Sequence, residues 1–419
     1  MHNISSILRD FIRMRDIDSP LINCLITRAG NRPRNRICVP CPNCEYLYRK
    51  MKRINVIAAV ISALFFTMAA GAQTPKNVKY EFTEASDLAL VGKLFPDTPN
   101  PYNRIDTVRF KGFTKTENSQ VRMSSGISVA FRTNSTTISV KATYGYKQYA
   151  SHIGGYSSRG FDLYIKRDGE WVWAAAGCGP IDKEDGYNTV LIKNMDGSMK
   201  ECLLYLPLFS EEYSVQIGVQ SGSVIEKSDV PFRHRVAIFG SSFTHGTSTS
   251  RPGMTYPAQF CRNTGIQLLS LGCSGNCKMQ SYFADALVNA PDIDAFIFDS
   301  FSNPTIEEIR ERLFPFIEKL QGAHPGKPLI FQHTIYRERR NFDLATEKNE
   351  SERMRVVDEL MAEAVKRYKD VYYVTTTNAT SPKHDTSVDG THPGDHGYSL
   401  WAESIQKPIL KILRKYGIR

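Results

Sequence analysis

The sequence predicts two domains, an all-β domain followed by an α/β domain with a parallel sheet. Between about Tyr80 and Ile225, short segments that alternate or run apolar are separated by Gly, Asn or Asp, a pattern typical of β-strands joined by turns. After Pro231, apolar strand-like runs alternate with helical stretches, which indicates a parallel sheet. The 419 residues are long enough for two such domains.

The first domain, residues 73–230, is expected to be a β-sandwich of the jelly-roll kind. Its strand-like segments are short and regular, and no long helical period interrupts them, as in folds built from two packed sheets. The segments span residues 125–133, 136–146, 159–177, 201–209 and 213–219.

The second domain, residues 231–419, is expected to hold five parallel strands with helices on both faces. The strand-like runs occupy residues 236–239, 267–271, 295–299, 328–333 and 371–375. Helical periodicity covers residues 305–321, 350–368 and 399–416, and Pro315 predicts a kink in the first of these helices.

Four polar motifs follow strands of the predicted sheet. GSSFTHG, residues 240–246, follows the first strand, LGCSGN, residues 271–276, ends the second, and DSFSN, residues 299–303, ends the third. DGTH, residues 389–392, follows the fifth strand. Because ligands bind beyond the carboxyl ends of the strands in open α/β sheets, the four motifs are predicted to meet at one edge.

These motifs supply the groups that nucleophilic catalysis needs. Ser242 is the predicted nucleophile, and His392 is the predicted base that takes its proton. Asp389, three residues before His392, can orient the imidazole and stabilise its charged form. The alternative for an Asp-x-x-His pair on its own is a helix N-cap beside an exposed histidine.

The order of the motifs resembles the SGNH hydrolase family, also called the GDSL-like esterases. Ser242, Gly275, Asn303 and His392 stand at its four signature positions, and GFDLY, residues 160–164, resembles the Gly-x-Asp-Leu-Tyr signature of a subgroup with an N-terminal β-sandwich. The resemblance implies a three-layer α/β/α, flavodoxin-like second domain. One departure is Ser241, which replaces the Asp of the family's commonest first motif.

The resemblance also implies an oxyanion hole. Its donors would be the backbone N–H groups of Ser242 and Gly275 and the side-chain amide of Asn303. Gly272 is the competing glycine, and the family pattern favours Gly275 because a polar residue, Asn276, follows it.

Three further residues are candidates for substrate binding. Arg251 could contact hydroxyls or carboxylates of a sugar, and His333 ends a strand at the predicted active edge. His245 lies one turn after Ser242 and could contact substrate. The alternative is that its side chain is solvated or has a capping role. Five aromatic residues of the first domain are either stacking surfaces for a glycan or sandwich core: Tyr144, Tyr146, Tyr149, Trp171 and Trp173.

The net charge of +10 does not indicate nucleic-acid binding, because it is concentrated at one end of the chain. Residues 1–72 hold 11 Lys and Arg against 4 Asp and Glu, whereas the rest holds 42 against 39. Because residues 73–419 carry nearly equal numbers of positive and negative charges, they offer little attraction to a phosphate backbone.

Residues 51–72 are predicted to be a secretory signal peptide, with a Lys-Arg start, an apolar stretch and an Ala-Gly-Ala end. The alternative is a membrane anchor. Residues 1–50 are expected to be a mis-assigned extension that begins upstream of the true start at Met51, although Cys38, Cys41 and Cys44 could alternatively bind a metal there. No metal, cofactor or lasting membrane association is expected for the mature chain.

The sequence and the resemblance together imply an exported esterase, periplasmic or extracellular, that removes acetyl groups from carbohydrate. A lipase or thioesterase would use the same catalytic residues with a deeper apolar acyl pocket. A catalytically silent glycan-binding protein would keep both domains, but the intact set of Ser242, His392 and Asp389 argues against it.

Overall fold

A computed structural model describes residues 77–180, 186–375 and 379–419, which lie within one compact unit of the chain. The predicted extension, its cysteine cluster and the predicted signal peptide lie outside the described residues. Among the described residues, no helix has both the length and the apolar character that crossing a membrane requires.

The first domain contains ten described strands in two antiparallel sheets, as predicted. They are β1 Tyr80–Glu84, β2 Ala89–Val91, β3 Ser128–Thr133, β4 Ile138–Lys147, β5 Phe161–Arg167, β6 Glu170–Gly177, β7 Gly186–Ile192, β8 Lys200–Tyr205, β9 Ser210–Gln220 and β10 Ile225–Lys227. One sheet has the order β1-β9-β4-β7, and the other has the order β10-β3-β8-β5-β6 with β2 paired to β3. The arrangement confirms the all-β prediction.

Two helices interrupt the sandwich sequence. They are α1 Lys115–Arg122 and α2 Gly155–Arg159, in addition to a 3-10 turn at Ala85–Asp87. A capping box starts α1, because the Thr114 side chain accepts from the N–H of Glu117 while the Glu117 side chain accepts from the N–H of Thr114. Neither helix was predicted, and α1 contacts the functional site described below.

The second domain is a five-stranded parallel sheet, as predicted. Its strands are β11 Arg233–Gly240, β12 Ile266–Gly272, β13 Ala295–Asp299, β14 Leu329–Gln332 and β15 Val371–Val374. They lie in the order β12-β11-β13-β14-β15, which is the flavodoxin-like order 2-1-3-4-5. Such a sheet binds ligands where the strand order reverses, near β11 and β13.

Helices connect these strands. They are α3 Ser242–His245, α4 Tyr256–Thr264, α5 Ser281–Val288, α6 Ile306–Ala323, α7 Leu344–Arg367 and α8 Asp395–Leu413, with 3-10 turns at Pro252–Met254, Glu338–Asn341 and Arg414–Tyr416. Helix α7 begins earlier than predicted because the Asp343 side chain caps it, accepting from the N–H groups of Ala345 and Thr346. Pro315 lies inside α6.

One hydrophobic cluster joins the two domains. Along β3, Val129 and Phe131 point into the sandwich core, whereas Ala130 between them packs in a cluster with residues of the parallel sheet such as Ile238. Because side chains alternate along a strand, the sheet that contains β3 is buried on both faces. The α/β domain therefore rests directly on the sandwich.

Candidate active site

Ser242 lies on a sharp turn between β11 and α3. The extended residue before it, Ser241, caps α3 by accepting a hydrogen bond from the N–H of Phe243 at 3.2 Å. Gly246 ends the helix after one turn with a φ of 97°, a conformation that favours glycine. The short helix presents the Ser242 side chain at the carboxyl edge of the sheet.

The three residues predicted for nucleophilic catalysis form one hydrogen-bonded chain. The Ser242 hydroxyl oxygen lies 2.9 Å from Nε2 of His392, and Nδ1 of His392 lies 2.8 Å from Oδ2 of Asp389. The other oxygen of Asp389 accepts from the backbone N–H groups of Thr391 and His392, at 2.9 Å and 2.7 Å. This carboxylate therefore fixes both the loop and the imidazole.

The surroundings shift the pKa values of both titratable partners. Burial lowers the pKa of His392 below its usual value, although Asp389 partly opposes this and the nearby charges of His152 and Arg337 add to it. Burial alone would raise the pKa of Asp389, but hydrogen bonds from the His392 backbone and ring outweigh it and bring the pKa to about 2. At neutral pH the aspartate is charged and the histidine can act as a base.

A second carboxylate holds the loop that carries His392. Both oxygens of Glu338 accept hydrogen bonds, from the N–H and hydroxyl of Thr386 and from the N–H and hydroxyl of Ser387. Sequence reasoning missed Glu338, because its partners lie about fifty positions further along the chain.

Gly275 and Gly272 play different structural parts. Gly275 has a φ of 74°, and a Cβ atom there would meet nothing within 4 Å, so open space lies beside it. Gly272 is buried in β12, and its Cβ atom would lie 2.2 Å from the backbone nitrogen of His245. Gly272 is thus needed for packing behind Ser242, whereas Gly275 lies in a left-handed turn beside open space.

The side chain of Asn303 is oriented by a hydrogen bond that its amide oxygen accepts. Its Oδ1 accepts from the N–H of Cys277 at 3.3 Å, and its amide nitrogen donates to no described residue. The backbone N–H groups of Ser242 and Gly275 likewise donate to no described residue. These three predicted oxyanion donors are therefore available to a ligand.

The N-terminal domain supports the loop that carries Gly275. Gln120 of α1 donates to the carbonyl oxygen of Ser274 and accepts from the side-chain amide of Asn276, both at 3.0 Å. Arg104, which is completely buried, donates to the carbonyl oxygen of Gly272 at 2.8 Å. No sequence pattern indicated these contacts, because they join separate domains.

The N-terminal domain also contributes a histidine beside the triad. The imidazole of His152 stacks on that of His392, with 5.2 Å between ring centroids and 1° between ring planes. His152 lies in the turn between β4 and α2, and its side chain is half-buried. Sequence reasoning did not single it out.

His245 does not face the site, which corrects the prediction that it could bind substrate. Its ring is fully buried, with Nε2 2.8 Å from the carbonyl oxygen of Leu208 and Nδ1 3.1 Å from the Ser274 hydroxyl. The ring of Phe209 stacks on it at 4.3 Å. The residue is a packing element between the two domains, and the alternative of a solvated role is wrong as well.

Arg251 pairs with residues of the N-terminal domain, and its contact with substrate stays a prediction. Its guanidinium donates to Oδ2 of Asp162 at 2.7 Å and to the Tyr164 hydroxyl at 2.8 Å. It also lies over the ring of Trp173, 5.0 Å from the centroid. Asp162 and Tyr164 belong to the GFDLY motif, so this motif joins the two domains.

His333 follows β14 at the carboxyl edge of the sheet and is half-buried. Its Nδ1 lies 2.6 Å from the carbonyl oxygen of Thr334, and its ring packs near Tyr373 at 6.1 Å. Its contact with substrate stays a prediction.

The five aromatic candidates separate into two groups. Tyr144 is buried in the sandwich core, as the alternative interpretation expected, whereas Trp171 packs against the cluster that joins the two domains. Tyr146 and Tyr149 are 46% and 48% exposed. Trp173 is half exposed but is engaged by Arg251 and donates to Asp162.

One group of described residues has the ligand atoms for a metal ion within 4.8 Å, namely His152, Asp389 and His392. Both nitrogens of His392 are already hydrogen-bonded, to Asp389 and to Ser242. A metal bound to His392 would have to break one of these two hydrogen bonds, so the arrangement suits proton transfer better.

The chain matches two known families along its length. Residues 233–411 match the GDSL-like lipase/acylhydrolase family, and residues 80–225 match a family of N-terminal domains of SGNH-hydrolase-type esterases. No curated protein matches the sequence at a significant level.

Several solved structures are similar to this one. A candidate GDSL-like lipase from Bacteroides ovatus is 35% identical with a TM-score of 0.76, over 80% of this chain and 98% of the other. The salicylyl-acyltransferase SsfX3 from a tetracycline biosynthetic pathway is 18% identical with a TM-score of 0.60, over 80% and 97%. A family two carbohydrate esterase from Cellvibrio japonicus is 12% identical with a TM-score of 0.52, over 81% and 99%. The last two likenesses concern the fold alone.

Proposed function

This chain belongs to the GDSL-like lipase/acylhydrolase family, and from that premise we propose that it is an exported serine esterase that removes acetyl groups from carbohydrate. Membership of this family indicates that the protein is an esterase. We propose in addition its catalytic mechanism, the acyl group it removes, the alcohol part of its substrate and its location outside the cytoplasm.

The hydrogen-bonded chain from Ser242 through His392 to Asp389 carries the proposed mechanism. The Ser242 oxygen attacks the ester carbonyl carbon while its proton passes to Nε2 of His392. The bond to the alcohol oxygen then breaks, and His392 gives the proton to that oxygen. Water repeats the sequence on the acyl-serine and releases the acid. Asp389 stays ionised and stabilises the imidazolium.

The negative charge on the carbonyl oxygen needs donors that are already in place. The N–H groups of Ser242 and Gly275 and the amide of Asn303 suit this role, because no described residue takes their hydrogen bonds. The carbonyl of Asn303 is fixed by Cys277, and the Gly275 loop is fixed by Gln120. Such fixed donors need little reorganisation during the reaction.

Polar residues around Ser242 support a small acyl group. The hydroxyls of Thr247 and Ser274 lie 3.3 Å apart, and the Thr249 hydroxyl donates to the carbonyl oxygen of Gly246. A long acyl chain would need an apolar wall, since each buried methylene contributes about 0.8 kcal/mol. These side chains offer none.

Two observations support carbohydrate as the alcohol part of the ester. His152 of the sandwich domain stacks on His392 of the triad. Tyr149 and Tyr156, which lie near His152 in the sequence, are each about half exposed. Exposed aromatic rings beside polar groups are suited to sugar binding. The Cellvibrio japonicus carbohydrate esterase shares the two-domain fold, which is support by analogy.

The test is acetate release from a panel of acetylated polysaccharides and acetylated monosaccharides. The purified protein should release acetate from at least one of them, and the Ser242→Ala variant should release none. A wild-type protein that hydrolyses 4-nitrophenyl acetate but none of the carbohydrate esters would contradict the proposed substrate.

Export rests on the signal-peptide pattern at residues 51–72. The mature protein should begin near Gln73, which N-terminal sequencing of exported material would show. A first residue upstream of Met51 would contradict this and would favour the alternative that Cys38, Cys41 and Cys44 bind a metal.

A further inference from the structure

The sandwich domain places an imidazole directly against the base of the triad. The rings of His152 and His392 are parallel with 5.2 Å between centroids. Ligand atoms of both histidines and of Asp389 lie within 4.8 Å of one another. A side chain of the N-terminal domain is thus adjacent to the imidazole that serves as the base of the triad.

The departing alcohol must come close to the same atoms. In the proposed mechanism, His392 delivers its proton to the alcohol oxygen, which must therefore lie within hydrogen-bonding distance of Nε2. The acyl carbon is bonded to the Ser242 oxygen, which itself lies 2.9 Å from Nε2. The alcohol is thereby confined to the neighbourhood of the His392 ring, and His152 covers one face of that ring.

His152 has the chemistry to bind a hydroxyl. Its ring nitrogens make no hydrogen bond to any residue that the structure describes, although the side chain is half-buried. A neutral imidazole offers one donor and one acceptor, and a hydroxyl, which can itself donate or accept, can pair with either of them. His245, by contrast, has both nitrogens engaged by Leu208 and Ser274.

The turn that carries His152 is held in place. The N–H of Ile153 donates to the carbonyl oxygen of Ala150 at 3.0 Å, and the two residues form a short antiparallel bridge. Ile153 packs in a buried cluster with Leu208 and Phe209, which also contact His245 behind the nucleophile turn. The position of His152 is therefore fixed relative to Ser242.

We infer that His152 forms a subsite for the departing alcohol and selects alcohols that carry a hydroxyl next to the ester oxygen, as sugars and other polyols do. The inference deepens the proposed function and rests on it for the identity of the alcohol. His152 takes no proton from Ser242. It holds the neighbouring hydroxyl while the bond between the acyl carbon and the alcohol oxygen breaks and His392 protonates that oxygen.

Two acetate esters test this inference. Glycerol monoacetate releases an alcohol with neighbouring hydroxyls, whereas 4-nitrophenyl acetate releases a phenol with none. The His152→Phe variant keeps a ring against His392 but loses both nitrogens. Its kcat/KM for glycerol monoacetate should fall about three- to tenfold, the effect of one lost hydrogen bond, and for 4-nitrophenyl acetate less than about twofold.

A second variant controls for packing and folding. His152→Gln retains a donor and an acceptor and should recover part of the activity on glycerol monoacetate. An equal fall on both esters in both variants would overturn the inference, because His152 would then act only through His392. An unchanged ratio of the two kcat/KM values would overturn it as well.

The same measurements separate this inference from the proposed function. If the wild-type protein cleaves both small esters but no acetylated carbohydrate, the carbohydrate proposal fails. The ratio between the two esters would still decide whether His152 binds a hydroxyl of the alcohol.

Discussion

Oδ2 of Asp299 accepts two hydrogen bonds from Ser241, one from its backbone N–H at 3.1 Å and one from its hydroxyl at 2.8 Å. The Thr244 hydroxyl donates to the same oxygen at 2.9 Å. Ser241 stands where the family's commonest first motif has an aspartate, so the carboxylate beneath the nucleophile turn comes here from the neighbouring strand β13. Burial raises the pKa of Asp299 to about 6, although hydrogen bonds from Ser241 and Thr244 oppose the rise.

We expect Asp299→Ala to lower the free energy of unfolding by about 3 kcal/mol, because it leaves the buried N–H and hydroxyl donors of Ser241 without their acceptor. Activity should fall too, since Ser241 fixes the backbone next to Ser242. Asp299→Asn keeps one acceptor oxygen and should cost less. Urea denaturation measures both variants, and an Ala variant with the wild-type midpoint would contradict the role of the carboxylate.

Substitutions in the triad should have graded effects. Ser242→Ala and His392→Ala should each reduce kcat for 4-nitrophenyl acetate by about 10⁶-fold, and Asp389→Asn by about 10⁴-fold. The aspartate effect is smaller because Asp389 orients the base but carries no proton. Circular dichroism should show that all three variants fold. Equal and complete loss in the Asp389 and His392 variants would contradict this order.

Activity should rise with pH through the titration of His392 and then level off. Burial lowers the pKa of His392 from 6.5, and only the neutral imidazole can accept the Ser242 proton. The midpoint of kcat/KM against pH should therefore lie below 6.5, while Asp389, with a pKa of about 2, stays ionised. Because Asp389 raises the pKa of His392, Asp389→Asn should move the midpoint lower. An upward shift in that variant would be inconsistent with the hydrogen-bonded pair.

The sequence predicted the parallel sheet well, because buried parallel strands read as continuous apolar runs. The run at residues 236–239, for example, lies inside β11. Helix α1 was missed although Thr114 and Glu117 form a capping box, because a short polar helix within an all-β pattern has little periodicity. The ends of the strands then placed Ser242, Asp389 and His392 at one edge, where the structure brings them together.

Contacts between the domains could not be predicted in the same way. His152 and Gln120 reach the site only because the sheet that contains β3 packs on the α/β core. Hydrophobic periodicity shows which face of a strand is buried, but it does not show which other domain covers that face. The same limit explains Arg251, which looked available in a polar loop but pairs with Asp162 across the domain boundary.

Gln120 is expected to position the oxyanion loop without touching substrate. Gln120→Ala removes the contacts to Ser274 and Asn276 and should lower kcat for 4-nitrophenyl acetate by about tenfold with little change in KM, since the Gly275 N–H acts mainly in the transition state. Thr116→Ala, on the exposed side of the same helix, is the matched control and should match the wild type. A change confined to KM would argue against a role in the oxyanion hole.

Acyl-chain length separates an acetylesterase from a lipase. The residues that follow the nucleophile turn, Thr247 and Thr249, are buried and polar, and Arg251 turns away toward Asp162. These polar side chains do not form an apolar pocket, in which each additional methylene of the acyl chain would contribute about 0.8 kcal/mol of binding free energy. The kcat/KM for 4-nitrophenyl esters should therefore fall steadily from acetyl through butyryl to octanoyl, with Ser242→Ala inactive on every ester. A rise in kcat/KM along the series would assign the protein to the lipases, even though the same three residues would carry the reaction.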